Sequence, residues 1–366
     1  MSTPLILDSL EIRNFRAFSD LRIERLGQVN LIVGKNNVGK TAFLEALWLY
    51  ANRGLPSIIW QILETRNETK DPDSDNEAIK NRALTIKYLF YGRKDIRHLV
   101  EPIKIGSVSF QEDTLSIELG WYREEGSGTT FIEITPLDPE NHDPLANLVP
   151  CIAVRSGNQT GIIYRLDVRP SLSLQKSIRC KFVPANGLNS RELERLWDSI
   201  ALTNQEVDVI AALSIIAPGI ERVNLLSDSI GNSEERIPKA KMSYLEGPIP
   251  LRSLGEGMNR LFGIALSLVN AKDGMLLMDE VESGLHYSVQ PDVWRLIFET
   301  ARRLNVQVFA TTHSWDCIEA FQKAAEENKQ EEGILIRLDE KKGKIVATEF
   351  DERRLGIATR EAIEVR

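Results

Sequence analysis

The chain has 366 residues, 42% of them apolar and 27% charged, with a formal net charge of −8. Those proportions suit a globular protein with room for one large α/β domain or two smaller ones, and the acidic balance argues against indiscriminate nucleic-acid binding while leaving room for a local basic groove. No run approaches the roughly 20 apolar residues of a membrane span, the N-terminus lacks the basic start and apolar run of a signal peptide, and Cys151, Cys180 and Cys317 are scattered, so we expect a cytoplasmic chain without a disulfide framework or zinc site.

Residues 5–33 read as short strands, at 7–12, 21–24 and 28–33. The last runs into Gly34-Lys35-Asn36-Asn37-Val38-Gly39-Lys40-Thr41, and residues 42–49 then read as an amphipathic helix. An apolar helical patch follows Leu55, and an Asp/Asn-rich stretch over 71–77 reads as an exposed loop. Residues 80–97 carry Lys80, Arg82, Lys87, Arg93, Lys94 and Arg97, which suit either a solvated face or a phosphate-contacting surface. From Ile103 to Pro184 apolar and polar residues alternate, and antiparallel strands are expected over 107–110, 114–119, 130–134 and 161–166. Residues 190–216 read as helical, with Ser190 as cap and Glu192 in the first turn. Short strands return over 220–250. A helix over 261–269, a strand over 274–278, a helix over 289–304 and a strand over 306–311 follow. Residues 334–350 form a hairpin pattern around Lys341-Lys342-Gly343-Lys344. There is no internal repeat and no sustained heptad pattern, so long coiled-coil arms are not expected.

Residues 34–41 fit G-x-x-x-x-G-K-[ST], and the strand before and helix after supply the context that this phosphate-binding loop requires. The glycines let the backbone wrap closely around phosphates. Lys40 neutralises the β- and γ-phosphate oxygens, Thr41 offers its hydroxyl to Mg²⁺, and the helix N-terminus favours the anion. Met275-Leu276-Leu277-Met278-Asp279-Glu280 is an apolar strand ending in two carboxylates. Asp279 suits the Mg²⁺ water shell and Glu280 a general base that polarises the attacking water. His313 ends the next strand, in Thr311-Thr312-His313-Ser314, where it can contact the γ-phosphate and sense its loss. Ser253-Leu254-Gly255-Glu256-Gly257 precedes a helix and offers a second anion site, which need not serve its own nucleotide.

With these motifs in this order, and with Glu282-Ser283-Gly284-Leu285-His286 after the acidic pair, the chain resembles ABC-type ATPases. Within that class it is similar to the AAA-domain branch related to the ATPase half of OLD-family nucleases, to RecF and to SMC proteins. The opening at residues 10–18 and the ending at 362–366 also resemble that branch. The resemblance implies an α/β fold: a P-loop NTPase head with a mixed core sheet, an antiparallel β subdomain and a helical signature subdomain. We expect one ATPase domain over 1–366. Its parts are an N-terminal lobe (1–55), an inserted helical and β-rich region (56–250), the signature helix, acidic strand and switch histidine (251–332), and a hairpin and tail (333–366). The resemblance further implies a head-to-tail dimer with two ATPs between the phosphate loop of one subunit and Ser253, Gly255 and Glu256 of the other. Glu282 and His286 would line the seam, and Arg13 or Arg16 would contact nucleotide or DNA.

Two departures stand out. The signature keeps Ser253 and Gly255 but not the transporter pattern, and no glutamine marks a Q-loop; Asn186 sits roughly where it would fall. The stretch after His313 is too short for the Toprim nuclease domain of OLD proteins, so effector chemistry is expected from a separate nuclease or toxin chain, in phage defence and with nucleic acid. A RecF-like repair ATPase is the alternative. A transporter subunit is disfavoured by the long β-rich stretch between Lys40 and Ser253.

Overall fold

A hairpin, β1 (Leu10–Phe15) and β2 (Phe18–Ile23), leads into β3 (Val29–Val33), in which every residue is buried. The computed structural model describes residues 4–69, 85–93, 101–109, 113–125, 130–133, 148–157, 162–165, 177–227, 236–255, 257–327 and 333–351. After the phosphate loop come α1 (Lys40–Ala51) and α2 (Pro56–Thr65). Strands β4 (Ile103–Gly106), β5 (Leu115–Glu125), β6 (Thr130–Glu133), β7 (Leu148–Ser156) and β8 (Ile162–Arg165) join the first hairpin. Together they make one antiparallel sheet in the order β2-β1-β4-β5-β7-β8, with β6 on β5. The alternation in residues 103–105 and 115–118 is therefore the period of a half-buried sheet. The first strand of that stretch is Ile103–Gly106 rather than 107–110. Ser107 and Ser109 instead hydrogen-bond Ser9, and Ser107 also donates to Asp8.

The chain then returns to the sheet of β3 through β9 (Cys180–Val183). Next come α3 (Ser190–Asp198), α4 (Asn204–Ile216) and a small sheet of β10 (Ile220–Ser227), β11 (Arg236–Met242) and β12 (Ile249–Pro250). Residues 190–216 are thus two helices, not one. Asn189, not Ser190, caps the first in a reciprocal capping box with Glu192, worth about 1 kcal/mol. Thr203 caps the second, after Leu202 turns the chain at φ 64°.

The remaining elements are α5 (Gly257–Asn270), β13 (Met275–Met278), α6 (Gln290–Leu304), β14 (Gln307–Thr311), α7 (Trp315–Glu327), β15 (Gly333–Lys341) and β16 (Lys344–Phe350). They complete a core sheet ordered β16-β15-β3-β14-β13-β9, parallel throughout except for the antiparallel β15–β16 edge. Its strands read as continuous apolar runs because both faces are covered. Val29, Leu31, Leu276, Met278, Val308 and Ala310 pack on the side of α3 to α7. Ile32, Met275, Leu277 and Phe309 alternate to the other side, against α1 and the antiparallel sheet. The mixed core sheet, antiparallel β layer and helical layer are those of a P-loop NTPase head. Glu256, residues 71–77 and 362–366, and Lys80, Arg82, Lys94 and Arg97 lie outside the described residues.

Candidate functional site

The parallel order of the core sheet brings the C-terminal ends of β3, β13 and β14 side by side, where such sheets bind ligands. The phosphate loop leaves β3 with Gly34 at φ 145°, and a Cβ there would meet the Leu338 carbonyl oxygen at 2.5 Å. Gly39, at φ 94°, is the N-cap of α1, and Asn37 also takes a positive φ of 68°. Lys35, Asn36 and Asn37 are exposed and Val38 is buried. The Lys40 ammonium spans the loop, donating to the carbonyls of Gly34 (2.7 Å) and Lys35 (3.1 Å). Burial lowers its pKa against the opposing pull of Asp279, Glu280 and Glu282.

Beside the loop, the Asp279 carboxylate is held from two sides. Thr41 Oγ1 donates to Oδ2 at 3.0 Å and Thr311 Oγ1 to Oδ1 at 2.6 Å. Thr311 also accepts the Glu280 N–H at 2.9 Å. Glu280 takes a left-handed φ of 45°, which costs a non-glycine residue about 1 kcal/mol or more. Its backbone is fixed on both sides, because Arg260 Nη2 donates to the carbonyls of Asp279 (2.9 Å) and Glu280 (3.1 Å). Arg260 Nη1 also donates to the Pro184 carbonyl at the end of β9. Burial lowers the Arg260 pKa, opposed by the carboxylates of Asp279, Glu282 and Glu280.

The Glu280 carboxylate accepts from Ser283 Oγ at 3.2 Å and lies 3.8 Å from His313 Nδ1. Glu282 accepts the His313 N–H at 3.1 Å and faces Nδ1 at 3.4 Å. Asp279, Glu280 and His313 therefore meet beside the loop, and Glu282 orients His313. A recess of about 500 Å³ joins Lys40, Thr41, Asp279 and Glu280 to Arg16, Arg66, Tyr88 and Arg93. Arg16 is buried, 2.7 Å from Glu45 of α1 and 3.0 Å from Glu68. Arg66 pairs with the same Glu45 at 2.6 Å, and Arg93 with Glu68 at 3.1 Å. Arg13 lies elsewhere, half-exposed and paired with Glu11 and Asp20.

A fit for Mg²⁺ rests on the donors. A hydroxyl and a carboxylate converge at the loop, and hard oxygen ligands of this kind suit that ion. Among the described residues no three His, Cys, Asp or Glu side chains group to hold a metal alone, so the nucleotide phosphates would complete the shell.

The signature-like turn lies away from this recess on its own chain. Ser253 and Gly255 are exposed, and Gly257 packs so closely that a Cβ would meet the Gly284 carbonyl at 3.1 Å. Leu254, Gly255, Gly284, Leu285 and His286 line one cleft of about 490 Å³. His286 hydrogen-bonds Ser288 and is exposed. Asn186 lines a separate cleft that also reaches Thr41 and Asp279. Arg260, Glu45 and Arg66 carry no sequence motif, and the Thr311 hydroxyl, though it lies beside His313 in the strand-end motif, has no role that the motif reveals. The one visible signal was an arginine inside the apolar run of residues 258–269.

The loop, the acidic strand end and the histidine on adjacent parallel strands define a P-loop nucleoside triphosphatase. More particularly, residues 6–182 match the model described as "AAA ATPase domain", and residues 190–316 match "AAA domain, putative AbiEii toxin, Type IV TA system". It is similar to an ATP/GTP phosphatase of Helicobacter pylori, 22% identical over 88% of this chain and 89% of that one. It is also similar to an OLD nuclease of Thermus scotoductus, 22% identical over 84% of this chain, and spans 59% of that nuclease's length. Among solved structures, an SMC head bound to the C-terminal winged-helix domain of ScpA aligns over 95% of this chain and 98% of that one, at 13% identity and a TM-score of 0.48. The SMC head of Thermotoga maritima aligns over 94% and 98%, at 13% identity and a TM-score of 0.44. No helix among the described residues is long and apolar enough to cross a membrane.

Proposed function

We propose that this chain binds and hydrolyses ATP with Mg²⁺, working as a head-to-tail dimer that serves a separate nuclease or toxin effector. The observation that carries the hydrolytic reading is the joint at Asp279, which ties the phosphate loop (Thr41) to the next strand (Thr311) and sets Glu280 beside His313. Lys40 and the loop amides bind the triphosphate, and Thr41 and Asp279 would hold Mg²⁺, which when bound would supply charge neutralisation at the phosphates. Glu280 takes the proton of the attacking water through its carboxylate, which Ser283 holds, while Arg260 and Thr311 fix the backbone beneath it. His313 donates toward the γ-phosphate, its ring oriented by Glu282.

The dimer reading rests on the exposed Ser253 and Gly255, which lie with Gly284 to His286 and do not line the phosphate-loop recess of their own chain. The phosphatase and nuclease relatives favour hydrolysis and a nucleic-acid setting, and phage defence is the process we infer from the nuclease likeness. The test is Glu280→Gln. Turnover should fall about 10²-fold or more while Mg·ATP binding persists, and the ATP-bound protein should elute as a dimer. Turnover at the normal rate would remove Glu280 from its role. A chain that stays monomeric with trapped ATP would remove the dimer. Affinity capture of the same variant from its native cells tests the effector: a nuclease or toxin chain in fixed ratio supports it, and its absence opposes it.

A further inference from the structure

Behind the metal end of the site, a cleft of about 630 Å³ runs between α1 and α2 on one side and β9 and α3 on the other. Its volume lies in the range of small-ligand sites, and it reaches Thr41 and Asp279. The carboxylates in its wall are already engaged. Glu45 is held by Arg16 and Arg66, Glu192 by the Asn189 N–H, and Asp279 by Thr41 and Thr311. The cations are not. Half-buried Lys181 on β9 has no hydrogen-bonding or ionic partner among the described residues, and its charged neighbours are the like-charged Arg195 and Arg179. Arg195 lines the rim, also without a partner among the described residues. Ser267, 1% exposed, presents in the same wall a hydroxyl with no hydrogen-bond partner among the described residues. Gln61 and Asn186 stand at the mouth with amides that have no partner among the described residues. Stacked Trp48 and Phe182, with ring centroids 4.9 Å apart, form an apolar side.

We propose that this cleft is a second anion site, distinct from the nucleotide recess, which takes the phosphate group of a small phosphate monoester or of a nucleic-acid end. Two cations without a partner among the described residues match a doubly charged group, and the ammonium, guanidinium, hydroxyl and amide donors match its several acceptor oxygens. Burying Lys181 without a counter-charge is unfavourable, and a bound dianion relieves it. The cleft shares Thr41 and Asp279 with the nucleotide recess, so an occupant there also bears on the metal end. Only this last step rests on the hydrolytic reading.

The experiment uses the full chain saturated with Mg²⁺ and a non-hydrolysable ATP analogue, so that the phosphate loop is filled. Inorganic phosphate is titrated against a chloride control of equal ionic strength, with melting temperature and calorimetric heat as readouts. Parallel arms use a 5′-phosphorylated trinucleotide and its unphosphorylated twin. Saturable binding of phosphate is expected, weakened about tenfold or more by Lys181→Gln. Gln61→Glu, on an exposed helix position where folding is not at stake, should weaken it by like-charge repulsion. Tighter binding of the phosphorylated trinucleotide than of phosphate identifies a nucleic-acid end; equal or weaker binding identifies a small monoester. No saturable binding in any arm, or variants that bind like the wild type, would overturn the proposal. None of these readouts requires ATP turnover.

Discussion

Replacing Thr311 by valine keeps the shape of the side chain and removes one hydroxyl. That hydroxyl makes two bonds, donating to Asp279 Oδ1 at 2.6 Å and accepting from the Glu280 N–H at 2.9 Å, at a fully buried position. A bond to a charged carboxylate contributes about 1.5–3 kcal/mol, and a backbone bond about 0.5–1.5 kcal/mol. Thr311→Val should therefore destabilise the fold by about 2–4 kcal/mol, read as a lower urea midpoint at an unchanged denaturant slope. The functional effect is separable from that loss. Asp279 would keep only Thr41 as a partner, and Glu280 would lose one of the contacts that hold its left-handed backbone. Loss of such an orienting partner typically costs about 10–100-fold in metal affinity or activity. The assay is ATP turnover against Mg²⁺ concentration at a temperature where the variant is folded. Half-saturation should move to higher Mg²⁺, and Thr311→Ser should restore it. A Thr311→Val protein with the wild-type Mg²⁺ dependence would refute the claim that this hydroxyl orients the metal carboxylate.

Other outcomes follow from the same geometry. Lys40→Ala should abolish nucleotide binding or turnover, checked by a fluorescent ATP analogue; unchanged affinity would contradict its place in the loop. Ser253→Arg should block turnover in the dimer while sparing nucleotide binding by the monomer, and a variant that turns over normally would detach Ser253 from the partner's site. Arg260→Met should lower kcat with little change in the ATP KM, because its bonds go to the backbone under Asp279 and Glu280 rather than to the loop. An effect confined to KM would contradict that reading. Burial holds the Cys317 thiol up to about 12 from an ordinary value near 9. A raised folded value means stability is intact below pH 9 and declines as pH rises from there toward 12, since only the unfolded chain readily gives up the proton. The wild type should therefore lose more stability than Cys317→Ala over that window, and parallel pH profiles would count against it.

The parts of the site legible in the sequence are those in which residue type and strand context coincide. The phosphate loop needs glycine at Gly34 because the Leu338 carbonyl leaves no space for a Cβ, and that demand shows as a motif. Asp279, Glu280 and His313 end strands whose apolar runs are unmistakable once both faces of the sheet are covered. The supporting contacts were not legible, because they join residues distant in sequence through groups common to every chain. Thr311 acts through one hydroxyl, and Arg260 through backbone carbonyls that any residue would present. Arg16 could not be separated from Arg13 by spacing, yet one is buried against Glu45 and the other half-exposed against Glu11. The break between α3 and α4 is hidden in the sequence because Ile200 keeps the apolar period across it. Only the Thr203 cap and the fully exposed Leu202 mark the turn.

The placement of β3 has a consequence for synthesis. This strand is made early, yet both of its neighbours, β14 and β15, are among the last segments of the sheet to leave the ribosome. Through most of translation the phosphate loop hangs from a strand with no ladder, and α1 lacks the core sheet against which it packs. Such distant parallel pairing is slow and exposes apolar edges meanwhile. Stalled nascent chains that end before Gly333 should therefore be cut readily by protease near the loop and fail to retain Mg·ATP, and release of the full chain should end both at once. Early protection of the loop in those stalled chains would show that the N-terminal half assembles without its late partners.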